Sequence, residues 1–501
     1  VDTLQLLLNG FVTAMQPVNL VFALLGCLLG TLVGVLPGIG ASGAMAILIP
    51  FTFVLDPTPA IIMLAAIYYG AMYGGTITSV LINTPGEAAA AVTCLDGYEM
   101  AKRGRAGAAL AISAVGSFIG GTVSMLGLVL LALPLTALAL QFGPPEFFGL
   151  MVLGLSLVIS LAGKSLLRAL LSAALGMVIA MVGMDPMMGL ARFTFGNPEL
   201  LDGLGLVPIV MGLFGVAEIL LNAETGVAQV FDTRMSTLIP SMKDLRASAW
   251  PIARGSVTGF FLGLIPGVGA IVTTFVSYVV EKRMSRTPEK FGTGMIEGVA
   301  GPETANNAHH VAALIPLFTL GIPCSASIAI IMGAFMMNGL IPGPLLFKEH
   351  ADFVWAVIAS MYVANAMLLV LNLPLIPMWV AVLRLPYSVL FAIILAFCVL
   401  GAYSLENRIF DVGTMVAFGI VGYVFKKMDY PLGPMVLTLI LGRMMETGLR
   451  RSLEMSLGEF DILFTRPISA TLLALAALVF AASLFRLWSA ASDRAKERLT
   501  S

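Results

Sequence analysis

Residues 30–41 read GTLVGVLPGIGA, and residues 259–270 read GFFLGLIPGVGA. The stretches lie 229 residues apart and agree at six of twelve positions: Gly30/Gly259, Gly34/Gly263, Pro37/Pro266, Gly38/Gly267, Gly40/Gly269 and Ala41/Ala270. Thr58-Pro59 recurs at the same offset as Thr287-Pro288. Both copies interrupt strongly apolar sequence. Proline removes a backbone donor and blocks a helix, and glycine permits an unwound backbone. Matched breaks in the two halves of a membrane chain point to a transporter's binding site.

The rest of the chain places these breaks in a membrane. Its 501 residues are 59% hydrophobic and only 11% charged, where a soluble domain carries about 25% charged residues. Apolar segments of near-spanning length run at about 18–36, 42–55, 61–82, 107–132, 147–162, 166–184 and 206–222. A second set runs at about 255–280, 293–335 (broken), 352–372, 386–402, 412–425, 433–449 and 467–485. The expected organisation is a first repeat over 1–230, a second over 231–465, and an extra C-terminal helix and tail over 466–501. The net charge of −1 leaves no nucleic-acid footprint. Cys27, Cys94, Cys324 and Cys398 have no CxxC spacing and read as small apolar residues. No basic region precedes the first apolar run, so no cleavable signal peptide is expected.

Loop charges set an orientation. Positive charge marks the cytoplasmic side. The loop near Asp56–Pro59 has no Lys or Arg, and the next has Lys102, Arg103 and Arg105. In the second half the order reverses: Lys282, Arg283, Arg286 and Lys290 follow the motif, and 338–350 holds only Lys348. The halves therefore read as inverted repeats. Arg254 and Lys282 both fall inside, with too few residues between them for two spans of about 20 residues. This predicts a re-entrant hairpin tipped by Pro266-Gly267, and by symmetry another tipped by Pro37-Gly38. Such turns are tolerated at membrane depth only under cover of protein or a water-filled cavity. Arg450, Arg451 and Arg466 fall outside and run against the charge rule.

A second break follows each hairpin: Asn83-Thr84-Pro85-Gly86-Glu87 in the first half and Gly321-Ile322-Pro323-Cys324-Ser325-Ala326-Ser327 in the second. Pro85 and Pro323 align after a nine-residue insertion. Half-helix N-termini at these four breaks would offer backbone N–H groups to an anion. Their carbonyls and side-chain oxygens suit a hard cation. The substrate candidates are Pro37, Gly38, Gly40, Ser42, Asn83, Thr84, Pro85, Gly86, Pro266, Gly267, Gly269, Pro323, Ser325 and Ser327. For Ser42, Asn83, Thr84, Ser325 and Ser327, helix capping is the competing role.

The insertion holds the densest polar cluster in an apolar segment, Gly301-Pro302-Glu303-Thr304-Ala305-Asn306-Asn307-Ala308-His309-His310. Glu303, Asn306 and Asn307 share a helix face. With Thr76 and Gly321 they are candidates for a cation site or a gate; an interfacial polar patch is the alternative. Adjacent His309 and His310 point apart, which disfavours a metal pair. Gly163-Lys164-Ser165 lacks the earlier glycine of a P-loop. No Ser/His/Asp arrangement suggests an enzyme.

The stretches VGVLPGIGASGAMAILIPFTF (33–53), IYYGAMYGGTITSVLINTPGE (67–87) with DGYEMAKRGRAGAAL (96–110), and EGVAGPETANNA (297–308) with IPLFTLGIPCSAS (315–327) resemble the large membrane subunit of the tripartite tricarboxylate transporters. The resemblance runs in order along essentially the whole chain. It implies a multi-pass secondary transporter of the bacterial inner membrane, driven by an ion gradient, typically sodium, and carrying citrate-like or related carboxylates. It implies as partners a small four-helix membrane subunit and a periplasmic solute-binding protein. It also suggests an elevator-type fold, in agreement with the hairpins. The expectation is thus an all-α polytopic inverted-repeat transporter with no cofactor beyond a coupling sodium. A carboxylate-selective channel, a membrane-embedded enzyme and a non-transporting assembly subunit are the rivals.

Overall fold

The computed structural model describes residues 3–36, 39–52, 54–161, 165–185, 187–225, 240–382 and 387–500. Pro37, Gly38, Gly163, Lys164 and the expected repeat boundary at 230–231 lie outside the described residues. The described chain is helical apart from short turns and one two-stranded antiparallel ribbon, Gly183–Met184 against Ala191–Arg192. Among the described residues, six helices are long and apolar enough to cross a membrane: Pro17–Gly34, Pro57–Ile82, Ala106–Ala139, Ala351–Asn372, Ile409–Lys427 and Pro467–Phe485. Within the described residues the expected segments are helical, and 293–335 holds three helices, Glu297–Ala312, Leu314–Leu320 and Ala326–Met337. A further helix, Thr3–Ala14, precedes them and packs on helix Ala351–Val382.

Local chemistry sets the helix ends. Proline occupies the first turn of helices 17–34 and 57–82, where its missing N–H costs nothing. Ser241 and Asp244 form a capping box at the start of helix Met242–Gly263. Helix 57–82 stops at Asn83 and helix Leu314–Leu320 at Gly321, both left-handed, with φ of 54° and 70°. Asparagine and glycine are the residues that accept this conformation.

Two glycine ladders hold the centre together. A Cβ on Gly26, Gly30 or Gly34 would lie 2.5, 2.3 or 2.4 Å from the carbonyl oxygens of Met63, Ile67 and Ala71. A Cβ on Gly255, Gly259 or Gly263 would lie 2.4, 2.4 or 2.5 Å from those of Gly301, Ala305 and His309. Glycine at every fourth position thus lets helix 17–34 lie directly on helix 57–82, and helix 242–263 on helix Glu297–Ala312. The glycines correspond at an offset of 229 and their partners at 238 (301 minus 63). The nine-residue difference therefore arises between Pro288 and Gly301, so the polar cluster at 301–310 is matched to 63–72 and, contrary to expectation, is not itself the insertion. Helices 57–82 and 297–312 are buried along nearly their whole length.

Polar staples close the ends. The buried Asp96 carboxylate accepts the backbone N–H groups of Gly292, Gly294 and Met295 and the Tyr278 hydroxyl. Arg254 pairs with Glu281 and Arg105 with Asp244. Arg450 bonds Asp185 at 2.8 Å, and Arg466 bonds Glu146 at 2.6 Å. The N–H groups of Met187 and Met188, together with Arg450, hold the Asp185 carboxyl down at about 2. Two of the three arginines that run against the charge rule are thus neutralised by acids from the loops with which they share an end.

Gly30→Leu and Gly259→Leu are each expected to separate a helix pair and cost about 3 kcal/mol, the upper end for overpacking. Gly413→Ala, where a Cβ meets nothing within 4 Å, is expected to stay within about 0.5 kcal/mol of the parent. Thermal melts of the purified proteins in detergent check all three; equal melting midpoints would remove the ladder's structural role.

Candidate functional site

The two ladders set down the four breaks side by side. Helix 17–34 ends on Ala71, and the following turn brings Gly40 N–H to the Gly86 carbonyl at 3.1 Å. Helix 242–263 ends on His309, and its turn brings Gly267 N–H to the Cys324 carbonyl at 3.3 Å. The turn after each glycine ladder therefore touches the helix break that follows it in the sequence. The halves meet where Ser42 Oγ and Ser327 Oγ lie 2.8 Å apart. Ser42 is in the first turn of helix Gly40–Leu48, and Ser327 in the first turn of helix Ala326–Met337.

The expected residues play different parts here. Ser325 Oγ caps the Ile328 N–H at 3.3 Å, the competing role named for it. Asn83 is exposed and Thr84 partly so; the Thr84 hydroxyl reaches only the Ile82 carbonyl. Gly86 N–H donates to the Gly75 carbonyl at 3.2 Å. Gly269 opens helix Ala270–Met284 with free space around its Cα. Pro85, Pro266 and Pro323 interrupt the helices. Gly321 stands apart: a Cβ there would meet the Pro342 carbonyl at 2.5 Å.

Behind the breaks lies a buried polar layer. Thr76 Oγ1 donates to Glu303 Oε2 at 2.6 Å, and Thr93 donates to Glu303 Oε1. Asn307 Nδ2 donates to Ser117 Oγ at 2.7 Å. Asn306 Nδ2 donates to Glu87 Oε1 at 2.7 Å. His310 Nδ1 meets the Asn306 carbonyl at 2.7 Å, and His309 Nδ1 meets Thr273 Oγ1 at 2.9 Å. Glu303, Asn306 and Asn307 are at most 1% exposed, so the interfacial-patch alternative does not describe them. The three side chains have separate partners.

Sequence reasoning did not single out Glu87. It reads as the polar end of a Pro-Gly turn, yet it is buried between Gly40, Gly75 and Asn306. Its one sequence signal is being a carboxylate inside an apolar region. A separate cavity of about 790 Å³ lies beyond Gly321, with Leu320, Pro342, His350, Arg443 and Arg451 in its wall. Ser42, Asn83 and Ser327 do not line it, so it is not the space between the two hairpin turns.

Residues 20–437 match the model of the tripartite tricarboxylate transporter TctA family. An uncharacterized 52.8 kDa protein in the TAR-I ttuC' 3' region of Agrobacterium vitis is 46% identical over 474 residues, covering 94% of each chain. An uncharacterized protein in the TAR-II ttuC' 3' region of the same organism is 45% identical over 217 residues, which is 43% of this chain and 90% of that protein. No solved structure matches. With six spanning-length apolar helices and a family match over most of its length, this chain is a multi-pass membrane protein and belongs to the TctA family of tripartite tricarboxylate transporters.

Proposed function

We propose that the chain is the large membrane subunit of a binding-protein-dependent secondary transporter. It imports tricarboxylates or related carboxylates across a bacterial inner membrane, driven by a sodium gradient. A small four-helix subunit accompanies it in the bilayer, and a periplasmic solute-binding protein delivers the substrate. The observation that carries this reading is the Ser42–Ser327 contact. It sets the first turns of two helices from opposite halves against each other. Each first turn presents unsatisfied backbone N–H groups and the positive end of a helix dipole. No Lys or Arg occurs in residues 37–42, 83–87, 266–270 or 321–327. Substrate carboxylates are therefore held by dipoles, by the Ser42 and Ser327 hydroxyls and by Asn83, with cotransported sodium offsetting their charge.

The matching glycine ladders support a pair of inverted repeats with re-entrant hairpins. In an elevator step both hairpins move with the substrate past a scaffold that includes helices 106–139 and 351–382. Thr76, Glu303 and Asn307 act as the gate behind the site. Family membership and the absence of a nucleophile-base arrangement at the breaks support transport over catalysis.

Asn83→Ala and Ser327→Ala are each expected to reduce carboxylate uptake by the full complex in proteoliposomes at least tenfold. That corresponds to about 1.4 kcal/mol, the low end for a lost hydrogen bond to a charged group. Uptake at parental levels in both variants, at equal protein content, would favour an assembly subunit. Collapsing the sodium gradient is expected to abolish net accumulation while preserving saturable counterflow. Non-saturating flux without counterflow would identify a channel.

A further inference from the structure

Glu87 is 7% exposed and Glu303 1%. Among the described residues neither carboxylate has a Lys, Arg or His partner. Glu303 is served by the hydroxyls of Thr76, Thr93 and Ser113. Glu87 has one side-chain partner, the Asn306 amide. A buried carboxylate costs several kcal/mol unless a counter-charge accompanies it. Among the described residues the chain supplies none here, so the charge is offset either by a proton on the carboxyl or by a bound cation.

A second, independent feature marks the spot. Asn306 is fully buried, and its Oδ1 has no donor among the described residues. Buried side-chain oxygens normally find partners. This oxygen belongs to the same amide group whose nitrogen touches Glu87, so an unpaired acceptor and an unpaired negative charge sit together. Oxygen ligands with one full charge are what a hard cation selects. The surroundings add no competing cation. Glu303 precedes Asn306 by three residues on the same helix, His310 bonds the Asn306 backbone carbonyl, and the Tyr68 ring packs against His310 at 5.2 Å.

The position matters as much as the chemistry. A Cβ on Gly40 would sit 3.7 Å from the Glu87 Cβ, and a Cβ on Gly75 would sit 3.0 Å from the Glu87 Cγ. Gly40 opens the helix that carries Ser42, and Gly86 accepts its N–H. The carboxylate thus stands at the rim of the proposed anion site. An incoming carboxylate would be repelled by a bare Glu87 and attracted once a cation neutralises it.

We propose that Glu87 and Asn306 form the sodium site of this transporter, with the Glu87 carboxylate and Asn306 Oδ1 as ligands, so that sodium must be bound before the substrate carboxylate. The proposal rests on the transport reading above for its substrate, but sodium binding by itself does not. The sodium ion carries one positive charge into the cluster and leaves with the substrate; no bond is made or broken.

Two measurements on the purified full chain test it. First, sodium alone, titrated against potassium at constant ionic strength, is expected to raise the thermal midpoint of the parent. It should have no such effect on Glu87→Gln or Asn306→Leu. The second variant removes the amide oxygen but keeps the charge, so one of the two reports even if the other fails to fold. Second, citrate binding is expected to tighten at least tenfold in sodium for the parent, and to be sodium-independent in either variant. A sodium response that survives in Glu87→Gln overturns the proposal. So does stabilisation by acid in place of sodium, which would make the cation a proton. If sodium stabilises the parent and not the variants, but citrate and other carboxylates do not bind, the sodium site stands and the transport reading falls.

Discussion

The close approach of two helix pairs through glycine governs this structure. Within a bilayer there is no hydrophobic gain in bringing apolar helices together, so shape has to do it. A side chain at Gly30 or Gly259 would collide with a backbone carbonyl that cannot move away. Because the ladders run to the last turn, at Gly34 and Gly263, they also determine where each helix ends relative to its partner. Gly40 and Gly267 then land beside the breaks after Ile82 and Leu320. Packing of small residues thus determines the address of the polar site.

The two helix pairs pack through matching glycines, but they carry different chemistry. At the offset of 238, Glu303 corresponds to Ala65, Asn306 to Tyr68, Asn307 to Tyr69 and Glu87 to Ser325. One copy of the inner helix carries amides and an acid where the other carries two buried tyrosines. Equivalent backbone turns remain: Asn83 and Gly321 both end their helices left-handed. Repetition preserved what the backbone needs and released the side chains to differentiate.

The segments, the breaks and the pairing of Pro85 with Pro323 were legible because Pro, Gly and apolar runs act locally. The contacts between breaks were legible only as an inference from symmetry. What was not legible depends on distance along the chain. The partner of Asn306 lies 219 residues away, and Glu87 in isolation is an ordinary turn residue. The same holds for Asp96, whose carboxylate secures a loop nearly 200 residues later. Arg450 and Arg466 conflict with a count of loop charges until Asp185 and Glu146 are seen beside them. Helix 3–14 was passed over because 12 residues are too few to span.

On the proposed function, the lack of Lys or Arg in the four break segments is what coupling to an ion gradient requires. A buried arginine would bind a carboxylate on either side of the membrane whether or not an ion gradient existed. Its charge would be permanent, so the site would have the same affinity in both orientations. A ligand shifts a conformational equilibrium only through differential affinity for the two states. Helix dipoles and hydroxyls are weaker, and a neighbouring carboxylate weakens them further. On the proposed function, that weakness makes anion binding depend on a mobile cation and therefore on the cation's gradient. The fixed arginines lie elsewhere, in ion pairs at the ends of the helices and in the wall of the cavity beyond Gly321, where they can hold structure or attract anions without short-circuiting the coupling.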